Sequence, residues 1–94
     1  MKTIWKNLLE VADVQKVELP EGAEILTVQT QHEHPCIWAL VDTAKPMINF
    51  KIGIAGTGND LELLHASNET LKYIGTFQKY AGDFIFHVFL IEKK

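Results

Sequence analysis

The segment at residues 84–91 constrains the fold of this chain more than any other stretch. It reads Phe-Ile-Phe-His-Val-Phe-Leu-Ile, so apolar side chains occupy both alternating faces and only His87 interrupts them. A strand that is apolar on both faces is typical of the centre of a two-layered or closed sheet, because an exposed face carries polar residues at every second position. Burying these side chains contributes on the order of 10–20 kcal/mol, which is large beside a net domain stability of about 5–15 kcal/mol. The rest of the chain must therefore pack around this segment.

Alternating apolar residues, rich in β-branched types, predict further strands between clusters of polar, Gly and Pro residues. The predicted strands cover residues 3–6, 14–19, 24–31, 36–41, 47–54, 71–78 and 84–91. Residues 7–14 have helical spacing for hardly two turns, which predicts an irregular connection. Residues 60–66 fit either a short helical turn or a long loop. The pattern predicts a mainly β fold: an antiparallel six- to seven-stranded meander that forms a small sandwich or partly open barrel, with at most one or two short helical turns.

Alternation also predicts which side chains share a face. In the third strand, Leu26 and Val28 are expected on the same face, two residues apart. In the strand at 47–54, even-numbered residues such as Ile52 are expected to point inward, and Gly53 to point outward. The hairpin formed by the last two strands is expected in the middle of the fold.

Length, charge and cysteine content exclude several classes of protein. A chain of 94 residues has room for one core, so residues 1–94 are predicted to form a single domain. Its formal charge of -3 disfavours direct nucleic-acid binding. The lone Cys36 excludes an internal disulfide, fits a reducing compartment and is expected to be buried. No apolar run approaches the roughly 20 residues of a membrane helix, and residues 1–6 lack the apolar core of a signal peptide, which predicts a cytoplasmic protein without membrane association.

The loop Gly56-Thr57-Gly58-Asn59 is the one candidate ligand site, because successive glycines let backbone N–H groups approach an anion. It lacks the lysine and spacing of a Walker loop and the GxGxxG of a dinucleotide fold, so a plain glycine turn is the competing interpretation. If it binds a ligand, Thr57 and Asn59 supply the side-chain hydrogen bonds.

The four histidines do not form a metal-binding pattern. His32 and His34 share one loop, but a zinc site needs three or four protein ligands, so an exposed hairpin tip is predicted and no metal. His87 is expected to point into the sheet. A general-base role for it would require a partner that fixes its tautomer, and Asp83 is the nearest candidate in sequence.

No arrangement of residues predicts catalysis. Ser67 lies in a loop, Cys36 lies in an apolar run, and no pair of carboxylates is forced together, so no catalytic residue, enzyme activity or cofactor is predicted. Tyr73, Phe77 and Tyr80 lie near a turn and form a candidate partner-binding surface, with burial in the core as the alternative.

Several segments together resemble a family of short uncharacterised proteins encoded by tailed bacteriophages and prophages. The matching segments are Ile-Leu-Thr-Val-Gln at 25–29, Pro-Cys-Ile-Trp-Ala-Leu-Val-Asp at 35–42, Gly-Thr-Gly at 56–58, Tyr-Ile-Gly-Thr-Phe-Gln at 73–78 and Phe-His-Val-Phe at 86–89. Family members often carry a histidine at the position of Asn59 and a tryptophan at that of Phe86. The family has no assigned catalytic residues, so none is carried over.

The resemblance implies a phage protein made in the host cytoplasm, and three hypotheses follow. The first is a non-enzymatic binding protein that inhibits a host or immune component, including a CRISPR effector. The second is an oligomeric protein that sequesters a phosphorylated nucleotide signal in the glycine loop, and the third is a virion accessory protein. A homodimer or higher homo-oligomer fits all three, because exposed sheet edges favour pairing.

Overall fold

A computed structural model describes residues 1–94 and contains seven strands and one 3-10 turn. The strands are β1 Lys2–Leu8, β2 Val14–Pro20, β3 Glu24–Gln31, β4 His34–Asp42, β5 Met47–Gly56, β6 Glu69–Lys79 and β7 Phe84–Lys93, and the 3-10 turn is Leu61–Leu63. The mainly β, antiparallel, two-layered prediction is confirmed. The open choice at residues 60–66 resolves to this single turn, which begins where the Asp60 carboxylate accepts the Glu62 N–H at 2.9 Å. No helix is present with the length and hydropathy needed to cross a bilayer.

The strands form a sandwich of two antiparallel sheets. The three-stranded sheet has the order β1-β4-β3, and the four-stranded sheet has the order β2-β5-β7-β6. Hairpins join β3 to β4 and β6 to β7, while the other connections change sheet or pass over a strand, so the chain follows a meander only at the two hairpins. The sheets come closest where β3 packs beside β6, and they do not close into a barrel.

β7 is an interior strand with buried side chains on both faces, as its composition predicts. On the inner face, Val88 is fully buried in the main core with Ile52 and Phe77. On the outer face, Phe89 packs in a second cluster with Leu64, which the 3-10 segment lays over the sheet. β6, its hairpin partner, is an edge strand, so only β7 takes the central position expected of the terminal hairpin.

A β-bulge in β3 changes which side chains of this strand share a face. The register shifts between Ile25 and Thr27, so Ile25 packs against the core with the buried Val28 while Leu26 is 44% exposed. The expectation that Leu26 and Val28 share a face is therefore wrong, because one inserted residue reverses the alternation.

Gly53 points outward as expected, but it is buried rather than exposed. A Cβ at this position would lie 3.1 Å from Ile91 Cδ1 and 3.3 Å from Leu64 Cδ1. Glycine therefore lets the second cluster sit directly on the backbone of β5.

Glu69 anchors the loop that follows the 3-10 segment. It is 8% exposed, accepts the Ala66 N–H at 2.8 Å, and pairs with Lys51 Nζ at 3.0 Å. The Ala66 N–H and then Lys51 lower the pKa of Glu69 below its ordinary value, against the opposing effect of desolvation. The ionised carboxylate thus ties this loop to β5.

We expect acid to weaken this anchor. A carboxyl group whose pKa is lower in the folded state contributes stability above its unfolded pKa, and that contribution is lost as pH falls from about 4.3 through the folded pKa. Urea unfolding at neutral and acidic pH measures the loss. Glu69→Gln is expected to lower stability at neutral pH and to show a shallower acid dependence than the wild type, whereas parallel pH profiles would contradict the assignment.

Both hairpin turns place residues other than glycine at positive φ. His32 and Glu33 have φ of 52° and 68° between β3 and β4, and Tyr80 and Ala81 both have φ of 55° between β6 and β7. The left-handed conformation costs an L-residue about 1–2 kcal/mol relative to its usual regions. The tips touch, since the Tyr80 N–H donates to Glu33 Oε2 at 3.3 Å.

We expect Ala81→Gly to stabilise the protein by up to about 1 kcal/mol, because glycine adopts positive φ without the Cβ penalty. Thermal or urea unfolding measures the change. Ala44→Gly, in a turn without positive φ, is the matched control and is expected to be neutral or destabilising. Equal effects of the two substitutions would contradict the turn geometry.

Candidate functional site

The predicted glycine loop lies at the end of β5, beside the start of β7. The Thr57 N–H donates to the Ile85 carbonyl at 3.3 Å, and the Asn59 N–H donates to the Gly56 carbonyl at 3.1 Å. Gly58 has φ of 88°, a conformation that glycine adopts without strain, and a Cβ there would meet no neighbouring atom. The loop is therefore a hydrogen-bonded turn with one residue free to approach a ligand closely.

Thr57 joins a polar cluster centred on His87, which we call the His87 cluster: Thr57, Tyr73, Thr76 and His87. His87 Nε2 lies 2.7 Å from Thr57 Oγ1, and His87 Nδ1 lies 3.0 Å from the Tyr73 hydroxyl oxygen and 3.3 Å from Thr76 Oγ1. The two hydroxyls of Tyr73 and Thr76 also form a hydrogen bond. Both imidazole nitrogens thus have partners from neighbouring strands and the loop.

A bulge in β6 assembles this cluster. Tyr73 pairs with Phe89, Gly75 pairs with Val88, and the extra residue Ile74 packs against the core. This insertion puts Tyr73 and Thr76 on the outer face together, although they are three residues apart. Tyr73 also packs edge-on against Phe89, with ring centroids 5.3 Å apart.

The hydrogen-bond geometry allows two proton arrangements. If Tyr73 donates to His87 Nδ1, then Nε2–H donates to Thr57 and leaves the threonine hydroxyl proton for a ligand. In the reverse arrangement, Thr57 donates to Nε2 and Nδ1–H donates toward Tyr73 or Thr76. In the first arrangement the loop presents a threonine hydroxyl proton, which suits a ligand with oxygen acceptors, whereas in the second only the lone pairs of the Thr57 hydroxyl oxygen face a ligand.

Asp83 does not hold the imidazole of His87, contrary to the sequence expectation. Residues four apart on a strand are separated by about 13 Å, so side-chain partners lie across strands rather than along them. His87 also lies on the outer face of the sheet, half-buried rather than pointing into the core.

An open cleft of about 460 Å³ adjoins the glycine loop. The loop and the acidic Asp83 form its polar wall, and the first residues of β7 form its apolar wall. Its lining comprises Gly56, Thr57, Asn59, Asp83, Phe84, Ile85 and Phe86. The volume lies within the range of small-molecule sites, roughly 300–1,000 Å³.

Exposed apolar side chains continue from this cleft to the end of the β6–β7 hairpin, and we call Tyr80, Phe84 and Ile85 the aromatic tip. Tyr80 is 63% exposed, Phe84 is 55% exposed and Ile85 is 42% exposed. The rings of Tyr80 and Phe84 pack edge to face at 5.6 Å. Because these large side chains meet solvent, the tip is available for contact with a partner.

The three aromatic residues of the predicted partner surface separate in the structure. Tyr73 and Tyr80 are exposed, as the surface interpretation expects, but Phe77 is 3% exposed and stacks on Phe86 with ring centroids 5.2 Å apart. The surface expectation is therefore wrong for Phe77, because this residue faces the inner side of the sandwich.

The remaining candidate residues include His32, His34 and Cys36. No three His, Cys, Asp or Glu side chains lie close enough together to hold a metal ion, and His32 and His34 are exposed at the β3–β4 hairpin. Cys36 is fully buried, as expected of a structural thiol.

Sequence reasoning missed Thr76, Phe84 and Ile85 as site residues. Cross-strand pairing of Thr76 with His87 is the signal that links the first of them to the cluster, and it required the bulge to be known. Phe84 and Ile85 were predicted to be buried in the core, because their segment is apolar throughout.

Comparison with known proteins identifies a family. Residues 1–94 match the model of a domain of unknown function, DUF7352. No curated protein and no solved structure matches the chain.

Proposed function

The chain belongs to the DUF7352 family, and we propose that it is a non-enzymatic binding protein that inhibits a host or bacterial immune component by stoichiometric binding. The observation that carries this proposal is the aromatic tip. Interfaces are enriched in exposed aromatic residues, and a few of them dominate the binding energy. The resemblance to phage and prophage proteins supports the setting, which is a host cytoplasm during infection.

The tip is held in place before binding. Edge-to-face packing fixes Phe84 against Tyr80, and the hydrogen bond that the Tyr80 N–H donates to the Glu33 carboxylate ties the two hairpins together. Because less conformational entropy is lost when a surface is already ordered, such a tip suits a tight stoichiometric inhibitor.

The partner class we favour is a nucleic-acid-binding defence protein such as a CRISPR effector. Such proteins hold DNA or RNA in basic channels. A chain with a net charge of -3 is attracted to a basic surface, and this attraction speeds association.

A plaque assay tests the proposal in bacteria that carry or lack a defined CRISPR system. The wild-type protein is expected to restore phage growth only in the strain with active defence. Tyr80→Ser with Phe84→Ser is expected to lose this effect. Leu63→Ser, at a residue that is 81% exposed and outside the tip, is the matched control and is expected to retain the effect.

Equal activity of the tip variant and the control would contradict the role of the tip. Failure of the wild-type protein to protect phage in strains with different defence systems would contradict inhibition of immunity as a whole. Circular dichroism of each variant shows whether the fold is intact.

A second candidate function is sequestration of a small phosphorylated nucleotide. The cleft favours it, because the Thr57 hydroxyl and the loop donors face an apolar wall formed by Phe84 and Ile85. The Gly58 N–H, the Asn59 side-chain amide and the Thr57 hydroxyl would donate to phosphate oxygens, because the Thr57 and Asn59 N–H groups already donate within the protein, and the apolar wall would hold a base.

Native mass spectrometry and thermal unfolding with cyclic dinucleotides test this function. A bound mass and a concentration-dependent rise in melting temperature are expected. Thr57→Val and Asn59→Leu are expected to abolish both, whereas Thr43→Val, at a distant exposed threonine, is expected to retain them. If no nucleotide raises the melting temperature, the sequestration function fails while the inhibitor proposal stands.

A further inference from the structure

The outer face of the three-stranded sheet carries uncovered apolar side chains, which we call the β4 face: Ile4, Leu8, Trp38 and Leu40. Ile4 is 55% exposed, Leu8 is 66% exposed and Leu40 is 39% exposed. Their neighbours Ile37, Ala39 and Val41 are buried in the core, so the β4 face points away from it. This face lies on the three-stranded sheet, whereas the His87 cluster lies on the four-stranded sheet.

The strand register places these side chains in adjacent rows. Ile4 on β1 pairs with Leu40 on β4, and Leu40 pairs with Glu24 on β3. In the next row, Lys6 pairs with Trp38. An exposed sheet normally carries polar residues at such positions, whereas the exposed Ile4 and Leu40 and the half-buried Trp38 form an apolar patch here.

Charges of opposite sign lie on opposite edges of the β4 face. Lys2 lies on β1, Glu24 lies on β3, and both side chains are exposed. Neither forms an ion pair within the chain. Lys6 is already engaged, since its Nζ donates to Gln31 Oε1 at 2.6 Å.

We infer that the β4 face binds the β4 face of a second copy of this chain, related by a two-fold axis parallel to the strands. This rotation stacks β1 of one copy over β3 of the other. Glu24 of each copy therefore lies over Ile4 of the other copy, and Lys2 of that other copy is two residues further along β1. Glu24 of each copy then pairs with Lys2 of the other copy, which gives two ion pairs. The apolar side chains of the two copies meet between these pairs. The Lys2–Glu24 pairs and the apolar side chains are complementary across this axis, and the Asp42 carboxylates, which lie opposite each other on β4, are each paired with their own N-terminal ammonium at 3.6 Å.

The size of the face sets the expected affinity. The face is three strands wide, with about 4.8 Å between strands, and about nine residues long, with about 3.4 Å per residue. Its area is therefore roughly 430 Å² per copy. The total, under about 900 Å², lies below the roughly 1,200–2,000 Å² of stable specific interfaces and in the range of weak, transient ones. The dimer is therefore expected to dissociate in the micromolar range. It leaves both aromatic tips free, so it does not depend on the proposed function.

Sedimentation equilibrium of the full chain across micromolar concentrations tests this inference. The wild type is expected to convert from monomer to dimer, and Leu40→Ser to raise the dissociation constant by about tenfold or more. Leu63→Ser removes an exposed leucine outside the β4 face and is expected to leave the constant unchanged. Circular dichroism confirms folding of each variant.

The charges give a second, independent measurement. Lys2→Glu and Glu24→Lys are each expected to weaken the dimer, whereas the protein with both substitutions is expected to regain wild-type affinity. A chain that stays monomeric at every concentration would overturn the inference. So would a dimer that is insensitive to Leu40→Ser and to both charge reversals, because its contact would then lie on another surface.

Discussion

Replacing Ile52 by alanine is expected to lower the free energy of unfolding by about 2–5 kcal/mol. Ile52 is fully buried on β5, which lies between β2 and β7, and belongs to the main core cluster. Truncation removes transfer free energy and leaves a cavity that surrounding strands fill only in part. A domain of this size has about 5–15 kcal/mol of net stability, so this loss is a large fraction of the total.

Urea unfolding followed by tryptophan fluorescence measures the change. Ile48→Ala is the matched control, because Ile48 lies on the same strand and face but is 39% exposed. Its effect is expected to be less than half as large. Similar losses for the two substitutions would show that the core is not centred where β5 meets β7.

Gly75→Ala is expected to destabilise the protein by about 1–3 kcal/mol through overpacking. A Cβ at Gly75 would lie 2.9 Å from Val28 Cγ1, with the Val28 backbone within 4.0 Å. This is the place where β6 and β3 bring the two sheets together. A side chain here must push one sheet edge away from the other, because the backbone behind Val28 leaves little room for movement.

A double-mutant cycle with Val28→Ala isolates this contact. The two substitutions together are expected to cost less than the sum of each alone, by a coupling energy of about 0.5–3 kcal/mol. Gly53→Ala is the comparison, since its Cβ would crowd only the side-chain ends of Ile91 and Leu64, while the Asp13 carbonyl oxygen at 3.6 Å is at an ordinary contact distance. It is expected to cost less than Gly75→Ala. Additive losses in the cycle would exclude Val28 as the cause.

Alternation in the sequence was sufficient to predict where the strands lie, but not every face. All seven predicted strands exist, and β7 is interior because apolar residues on both of its faces need cover from two sides. The bulge in β3 reversed an expected face, as Leu26 shows. A bulge leaves little local signal, since it is stabilised by the partner strand and by the packing that it permits.

The candidate site was predicted in part. The glycine loop was recognised because Gly56-Thr57-Gly58 has a composition that suits a tight turn. The contact between this loop and His87 was not predicted, because 30 residues separate His87 from Thr57 along the chain. The exposure of Phe84 and Ile85 was also missed, since apolar composition alone does not show where the cover over a strand ends.

Local patterning was sufficient to predict the class of this fold: its β content, its strand positions and its interior last strand. These properties depend on local alternation and total apolar content, both of which can be read directly along the chain. The strand order, the two bulges, the His87 cluster and the uncovered β4 face became visible only in the folded chain. These features arise from contacts between residues far apart in sequence, whose free energies depend on how two sheets fit together.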